Sequence, residues 1–154
     1  MCAFLYNRVM NKKEYMREAL LQARIAYKKD EVPIGCVIVR NGKIVAKAYN
    51  QKEKKKDPTS HAEIECIRKA CKKLNKKYLE DSEMYVTLEP CLMCLGAIKE
   101  ARIKKIYIGA YDLKGGAVVS RGAFISKTLF DKFDFIDTNS EATNLLKNFF
   151  KSKR

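Results

Sequence analysis

Two short motifs in different parts of the chain, Ser60-His61-Ala62-Glu63 and Pro90-Cys91-Leu92-Met93-Cys94, restrict the fold more than any other feature. If they act together, the fold must bring one point near residue 61 against another near residue 91. His61 is the single histidine of the chain. A catalytic zinc takes three protein ligands and keeps a fourth tetrahedral position for water, and His61, Cys91 and Cys94 supply three such donors. Glu63 lies too close to His61 to be a convenient fourth ligand, but it is well placed to move the protons of a metal-bound water.

The intervening sequence predicts how the two motifs are carried. Asn11-Lys12-Lys13-Glu14 reads as a capping box, and Tyr15, Met16, Ala19, Leu20, Ala23, Ala26 and Tyr27 follow at helical spacing. Asp30-Glu31-Val32-Pro33 ends that helix. Two β-rich runs, Gly35 to Arg40 and Lys43 to Tyr49, flank Asn41-Gly42, a strong hairpin signal. Asn50 to Thr59 reads as a polar loop carrying Lys52, Lys54, Lys55 and Lys56 at the rim of the site. A second helix begins at His61, with Ile64, Ile67, Ala70, Cys71 and Leu74 on one face. Met84 to Leu88 reads as the third strand. Pro90 favours the first turn of a third helix through Ala97, Ile98 and Ala101. Lys105 to Ala110 is the fourth strand. Ala117 to Asp137 is ambiguous, read as a short helix followed by a strand near Phe133 to Ile136. Asn139 or Ser140 caps a last helix with Leu145, Leu146, Phe149 and Phe150 on one side.

Strands that alternate with helices after an initial hairpin imply an α/β fold of three α/β/α layers, a mixed five-stranded sheet with helices on both faces. Ligand sites in such sheets gather at the carboxyl ends of strands, and both motifs sit on strand-to-helix turns there. At 154 residues, 47% of them hydrophobic, the chain fits one domain spanning 1–154. Residues 1–10 read as a leader, with Met1 or Met10 as the start. No apolar run reaches membrane-spanning length, so the expectation is a soluble, cytoplasmic protein. Six cysteines in a reducing compartment point to metal ligation or free thiols, with Cys2, Cys36, Cys66 and Cys71 as buried or unpaired thiols. A formal charge of +14 favours a polyanionic partner, although lysines far outnumber arginines, as a lysine-biased composition would also produce.

Two converging helix N-termini favour thiolate over thiol at Cys91 and Cys94. A zinc-bound water then loses its proton near neutral pH, and hydroxide becomes available without a strong base. Attack on an amino-substituted aromatic C=N carbon moves protons off the water, onto the ring nitrogen and onto the leaving amine. One carboxylate, Glu63, can do all three. Each part has a plainer reading by itself. Ser60-x-x-Glu63 matches a capping box, C-x-x-C is often a structural zinc half-site or a redox pair, and a single histidine is more often not a ligand. The conjunction of H-x-E with P-C-x-x-C favours the catalytic zinc.

These motifs resemble those of the zinc-dependent cytidine deaminase superfamily, and more closely the bacterial tRNA adenosine deaminases. The resemblance covers nearly the whole chain. Its carriers are Glu31-Val32-Pro33-Ile34-Gly35, Asn50, Asp57 to Glu63, Thr87 to Cys94, Gly109 to Gly116 and the terminal Leu145 to Lys151. It implies a cytidine-deaminase-like fold, one Zn2+ per subunit, and a homodimer that converts the wobble adenosine of a tRNA anticodon stem-loop to inosine. It further implies substrate contacts from Asn50, Ile34 and Ala62, and RNA contacts from Asp112, Lys114 and Phe149. For Asn50 a turn-forming role competes, and for Phe149 core packing. The sequence departs from the family after Gly116. There Val118-Val119-Ser120-Arg121-Gly122 leads on without the longer segment and Asn-His pair the family usually carries. Two other functions stay open: deamination of a free nucleobase or nucleoside (guanine, cytosine or cytidine), and RNA binding with a structural zinc.

Overall fold

The computed structural model describes residues 8–120 and 130–154. Helix α1, Lys12–Lys28, starts with both halves of the expected capping box: Asn11 accepts from the Glu14 N–H and Glu14 accepts from the Asn11 N–H. Strands β1, Gly35–Arg40, and β2, Lys43–Tyr49, have the expected bounds. Asn41 and Gly42 between them both adopt positive φ, 51° and 72°, as a tight hairpin turn of this hand requires.

The remaining elements are α2, Lys52–Lys55; α3, Ala62–Leu74; β3, Ser82–Val86; α4, Leu92–Glu100; β4, Lys105–Ile108; β5, Lys132–Phe135; and α5, Glu141–Lys151. The sheet order is β2-β1-β3-β4-β5. β1 runs antiparallel to β2 and β3, and β3, β4 and β5 are mutually parallel neighbours, so the sheet is mixed.

Alternation along β1 separates the two cores. Cys36 and Ile38 point to the α3 and α4 side with Met84, Val86, Ile106 and Ile108; Val37 and Val39 point to the α1 side with Tyr85 and Tyr107. The expected three-layer fold is therefore present. Helix α5 lies beside α1 through Leu20, Ala142 and Leu145. Close packing of α1 on β1 requires Gly35, because a Cβ there would lie 1.9 Å from the Ala19 carbonyl oxygen.

Several expectations are corrected. The lysine run is not wholly loop: it forms α2, ended by Lys56 in the left-handed region at φ 52°. Two buried Glu31 interactions explain this, since its carboxylate accepts the N–H groups of Glu53 (3.1 Å) and Lys54 (2.6 Å) at the helix start. β3 begins earlier than Met84, because Ser82 and Glu83 pair with Arg40 and Val39, and it ends at Val86 where the chain turns toward Cys91. β4 and β5 each end earlier than expected, at Ile108 and Phe135. Ser140 precedes α5 as anticipated, but it caps in the left-handed region without a side-chain hydrogen bond. Residues 1–7 of the expected leader at 1–10, and residues 121–129 of the ambiguous span at 117–137, lie outside the described residues. No described helix is long and apolar enough to cross a membrane.

Candidate active site

β2 and β3, each antiparallel to the β1 between them, run in the same direction and lead to the two motifs at the same end of the sheet. His61 is the N-cap residue of α3 and Cys91 that of α4, both in extended conformation and neither making a side-chain capping bond. Their side chains are thus free to converge. His61 Nδ1 lies 3.7 Å from Cys91 Sγ and 3.6 Å from Cys94 Sγ. The three ligand atoms all fall within 4.8 Å of one another, and among the described residues this is the His, Cys and acidic group able to hold a metal ion.

Their spacing fits zinc. A tetrahedral ion with N and S bonds of about 2.05 and 2.3 Å sets its nitrogen and sulfur ligands about 3.6 Å apart. The donor set is two thiols and an imidazole with three protein ligands, the number that leaves one position open. Hydrogen bonding from Cys94 holds Cys91 down to about 4, with His61 adding to it, so this thiol is readily a thiolate. The same contact and burial push Cys94 up. The hydrogen bond to Cys91 raises His61 against the opposing effect of burial.

Glu63 is 3% exposed on the first turn of α3. The capping-box alternative fails here, because Oε2 is buried without a hydrogen-bond partner and the Ser60 hydroxyl bonds Asp57 instead (3.1 Å). Burial pushes Glu63 up to about 7. A carboxyl group poised near neutrality exchanges protons in both directions.

Around this centre the chain is braced by acidic side chains whose partners the sequence does not indicate. Asp57 Oδ1 accepts the Thr59 N–H (2.8 Å) and hydroxyl (2.7 Å), bonds that hold its carboxyl below the usual value. Gln51 donates its N–H to the Ser60 carbonyl (3.0 Å), tying the lysine segment to the His61 stretch. Glu65 pairs with Lys55 at 2.7 Å and Arg68 at 3.4 Å. Glu89 accepts from Asp112, Val119 and Ser120, and the net effect lowers its carboxyl although burial alone would raise it. The signal for Asp57 was the D-P-T-S turn; Glu31, Glu65 and Glu89 are long-range and leave no local pattern.

Asn50 is buried beside this ring, donating Nδ2 to the Val32 carbonyl (3.4 Å) and its N–H to the Ile34 carbonyl (3.1 Å). Ile34 is half-buried and Ala62 fully buried. Of the expected RNA contacts, Lys114 is exposed. Asp112 Oδ1 is engaged within its own loop by the N–H groups of Lys114 (3.1 Å) and Gly115 (3.0 Å). Phe149 is 7% exposed and packs edge-on against Tyr27 and Phe150, the core role set beside its RNA reading. Cys36 and Cys66 are buried free thiols and Cys71 is half-buried; Cys2, Arg121 and Gly122 lie outside the described residues.

Fold and site together define a deaminase. The family model described as MafB19-like deaminase matches residues 10–154, and the chain belongs to that family. Among curated proteins it is similar to the tRNA-specific adenosine deaminase of Aquifex aeolicus, 44% identical and covering 94% of this chain and 97% of that one. The tRNA-specific adenosine deaminase of Agrobacterium fabrum is 45% identical over 91% of this chain and 94% of its own. A solved structure from studies of A-to-I editing by tRNA deaminases at the wobble position matches with a TM-score of 0.79 at 43% identity, covering 88% of this chain and all of that one (100%). The guanine deaminase of Bacillus subtilis matches at 0.64 and 35% identity, covering 79% of this chain and 73% of that one.

Proposed function

We propose that this chain hydrolyses the wobble adenosine of a tRNA anticodon to inosine. The observation that carries the reading is the His61, Cys91 and Cys94 cluster with Glu63 beside it, in a chain similar along nearly its whole length to tRNA-specific adenosine deaminases. His61, Cys91 and Cys94 would hold one zinc per chain. When bound, zinc supplies a Lewis acid that makes water nucleophilic near neutral pH.

Glu63 performs the proton transfers. As a carboxylate it takes a proton from the attacking water and gives it to the ring nitrogen N1 as oxygen bonds to C6. It then takes the proton of the new C6 hydroxyl and passes it to the amino group; the C6–N bond breaks, and ammonia leaves as the C6–O bond becomes the carbonyl of inosine. Burial of Glu63 supports this double use by raising its carboxyl to the range where both forms are accessible. Asn50, Ile34 and Ala62 border the base. The target base must leave its stack to reach a site this enclosed, which favours a single-stranded loop.

The charge of +14 and the exposed Lys52, Lys54, Lys56 and Lys114 suit a phosphate backbone. Asp112 contributes by shaping the loop that bears Lys114, and Phe149 by seating α5 on α1. We read the functional unit as one domain and a homodimer, with exposed Leu92 and Met93 on α4 offering apolar surface to a second copy. Light scattering at twice the chain mass would support the dimer. A tRNA substrate supports the expected cytoplasmic location.

The test is deamination of an anticodon stem-loop carrying a wobble adenosine, set against free guanine, cytosine and cytidine. Inosine in the stem-loop supports the reading; turnover of a free base alone overturns it. The second reading, a guanine deaminase, rests on the 35% identity to the Bacillus subtilis enzyme. A purely structural zinc is disfavoured because the cluster among the described residues holds three protein ligands, where structural sites hold four.

A further inference from the structure

Glu89 stands just before the Pro90-Cys91 turn and is only 2% exposed. Both of its carboxylate oxygens are filled from a different part of the chain. Oε1 accepts the N–H of Val119 at 2.6 Å and of Ser120 at 2.8 Å. Oε2 accepts the N–H of Asp112 at 3.0 Å and the Ser120 hydroxyl at 2.7 Å. Neighbouring backbone reinforces the same junction: Glu89 donates its N–H to the Ala110 carbonyl (2.8 Å) and Ala117 donates to the Pro90 carbonyl (2.9 Å). Cys91 and Gly116 form an isolated β-bridge. The approach is close enough that a Cβ on Gly116 would lie 2.3 Å from Glu89 Cδ.

We propose that Glu89 is a positioning residue, which locks the 110–120 segment onto the turn that carries Cys91 and thereby sets substrate affinity. The assignment rests on the deaminase reading above, in which this segment faces the RNA. Its physical basis is the acceptor requirement. Three backbone N–H groups and a hydroxyl converge on one point, and only a carboxylate presents two oxygens with no competing donor. Charge-assisted bonds to a buried carboxylate hold backbone more firmly than neutral ones. The Asp112 loop keeps its own turn through Asp112 Oδ1, so Glu89 governs where that turn sits and not whether it forms.

The chemistry makes Glu89→Gln a directional test. The amide oxygen takes the side with two backbone donors, Val119 and Ser120, because an NH2 group there would meet two N–H groups. The NH2 group then faces Asp112 and Ser120. The Ser120 hydroxyl can turn to accept from it, whereas the Asp112 N–H cannot. The loss is therefore confined to Asp112.

Three readouts follow for zinc-loaded full-length protein: amide hydrogen exchange, zinc content, and kinetics on the stem-loop. Glu89→Gln should accelerate exchange at Asp112 while sparing Val119 and Ser120. It should raise KM about tenfold and keep kcat per bound zinc within about twofold, the pattern of lost binding to ground and transition states alike. Ser120→Ala, which retains every backbone donor, should raise KM about threefold, scaled to the loss of one neutral hydrogen bond. Wild-type KM in both variants overturns the proposal. So does activity that falls only in step with zinc content at constant KM, which would make Glu89 a brace for the metal turn alone. If the wild-type protein does not deaminate the stem-loop, the tRNA reading falls and the exchange data decide. Selective acceleration at Asp112 then keeps Glu89 as organiser of the segment, and uniform or absent acceleration removes it.

Discussion

His61 Nδ1 lies 3.6 Å from Cys94 Sγ across a sequence separation of 33 residues, the spacing that one tetrahedral metal ion imposes on its ligands. The purified protein should therefore carry one zinc per chain. Chelation should abolish deamination and added zinc restore it. Zinc should also raise the melting temperature, with a linkage stabilisation of about 2.7 kcal/mol at a free concentration of about one hundred times Kd. Elemental analysis and thermal unfolding check both; an active protein free of metal would contradict them.

Glu63→Gln should lower kcat by about a hundredfold to ten-thousandfold, the usual contribution of a positioned acid–base group. Zinc content should stay at the wild-type level, because Glu63 is not among the three clustered ligands. Stability should not fall, since the amide removes a buried ionisable group whose charge burial disfavours. Single-turnover kinetics with parallel metal analysis would separate this from a loss of metal.

Glu65 provides a pH prediction. Burial by itself would raise its carboxyl, but Lys55, Ser60 and Arg68 outweigh it and hold the carboxyl below its ordinary value. The folded state thus favours the ionised form. The resulting stability is complete above the unfolded carboxylate pKa and is lost as pH falls through the lower folded one. Glu65→Gln should cost about 1 kcal/mol at neutral pH, kept modest because Lys55 and Arg68 are themselves largely exposed. The gap from wild type should close below roughly pH 4. Urea denaturation across the acid range measures it, and a gap that widens toward low pH would refute it.

Gly35→Ala should destabilise the protein by about 3 kcal/mol or more, since neither contact at that position can yield cheaply. The added Cβ would lie 1.9 Å from the Ala19 oxygen and 2.6 Å from the Ala23 nitrogen, both backbone atoms of α1. Asn50 hangs from the adjacent Ile34 carbonyl, so a rise in KM should accompany the loss in melting temperature.

Asn11→Ala should cost about 1 kcal/mol, the value of a lost N-cap, with little change in turnover because the Asn11 side chain bonds only within the first turn of α1. Equilibrium unfolding together with steady-state kinetics would show the separation of stability from activity.

What the sequence by itself determined are the features governed by neighbours in the chain. The Asn11 capping box, the Asn41-Gly42 hairpin and the period-two faces of β1 depend on local backbone geometry and side-chain alternation, and each appears as read. The clustering of His61, Cys91 and Cys94 was also legible, because a single histidine and one C-x-x-C turn leave few ways to assemble three donors able to hold a metal. Tertiary structure decided the rest. Glu63 matches a capping box in sequence, yet its Oε2 is buried without a partner, a property set by packing from other elements. The lysine run became a helix because Glu31, distant in sequence, accepts its first N–H groups. Asp112 and Phe149 show the same limit: one carboxylate is engaged by its own loop and one ring is buried beneath its helix, and burial is a property of the packed chain, which no local pattern encodes.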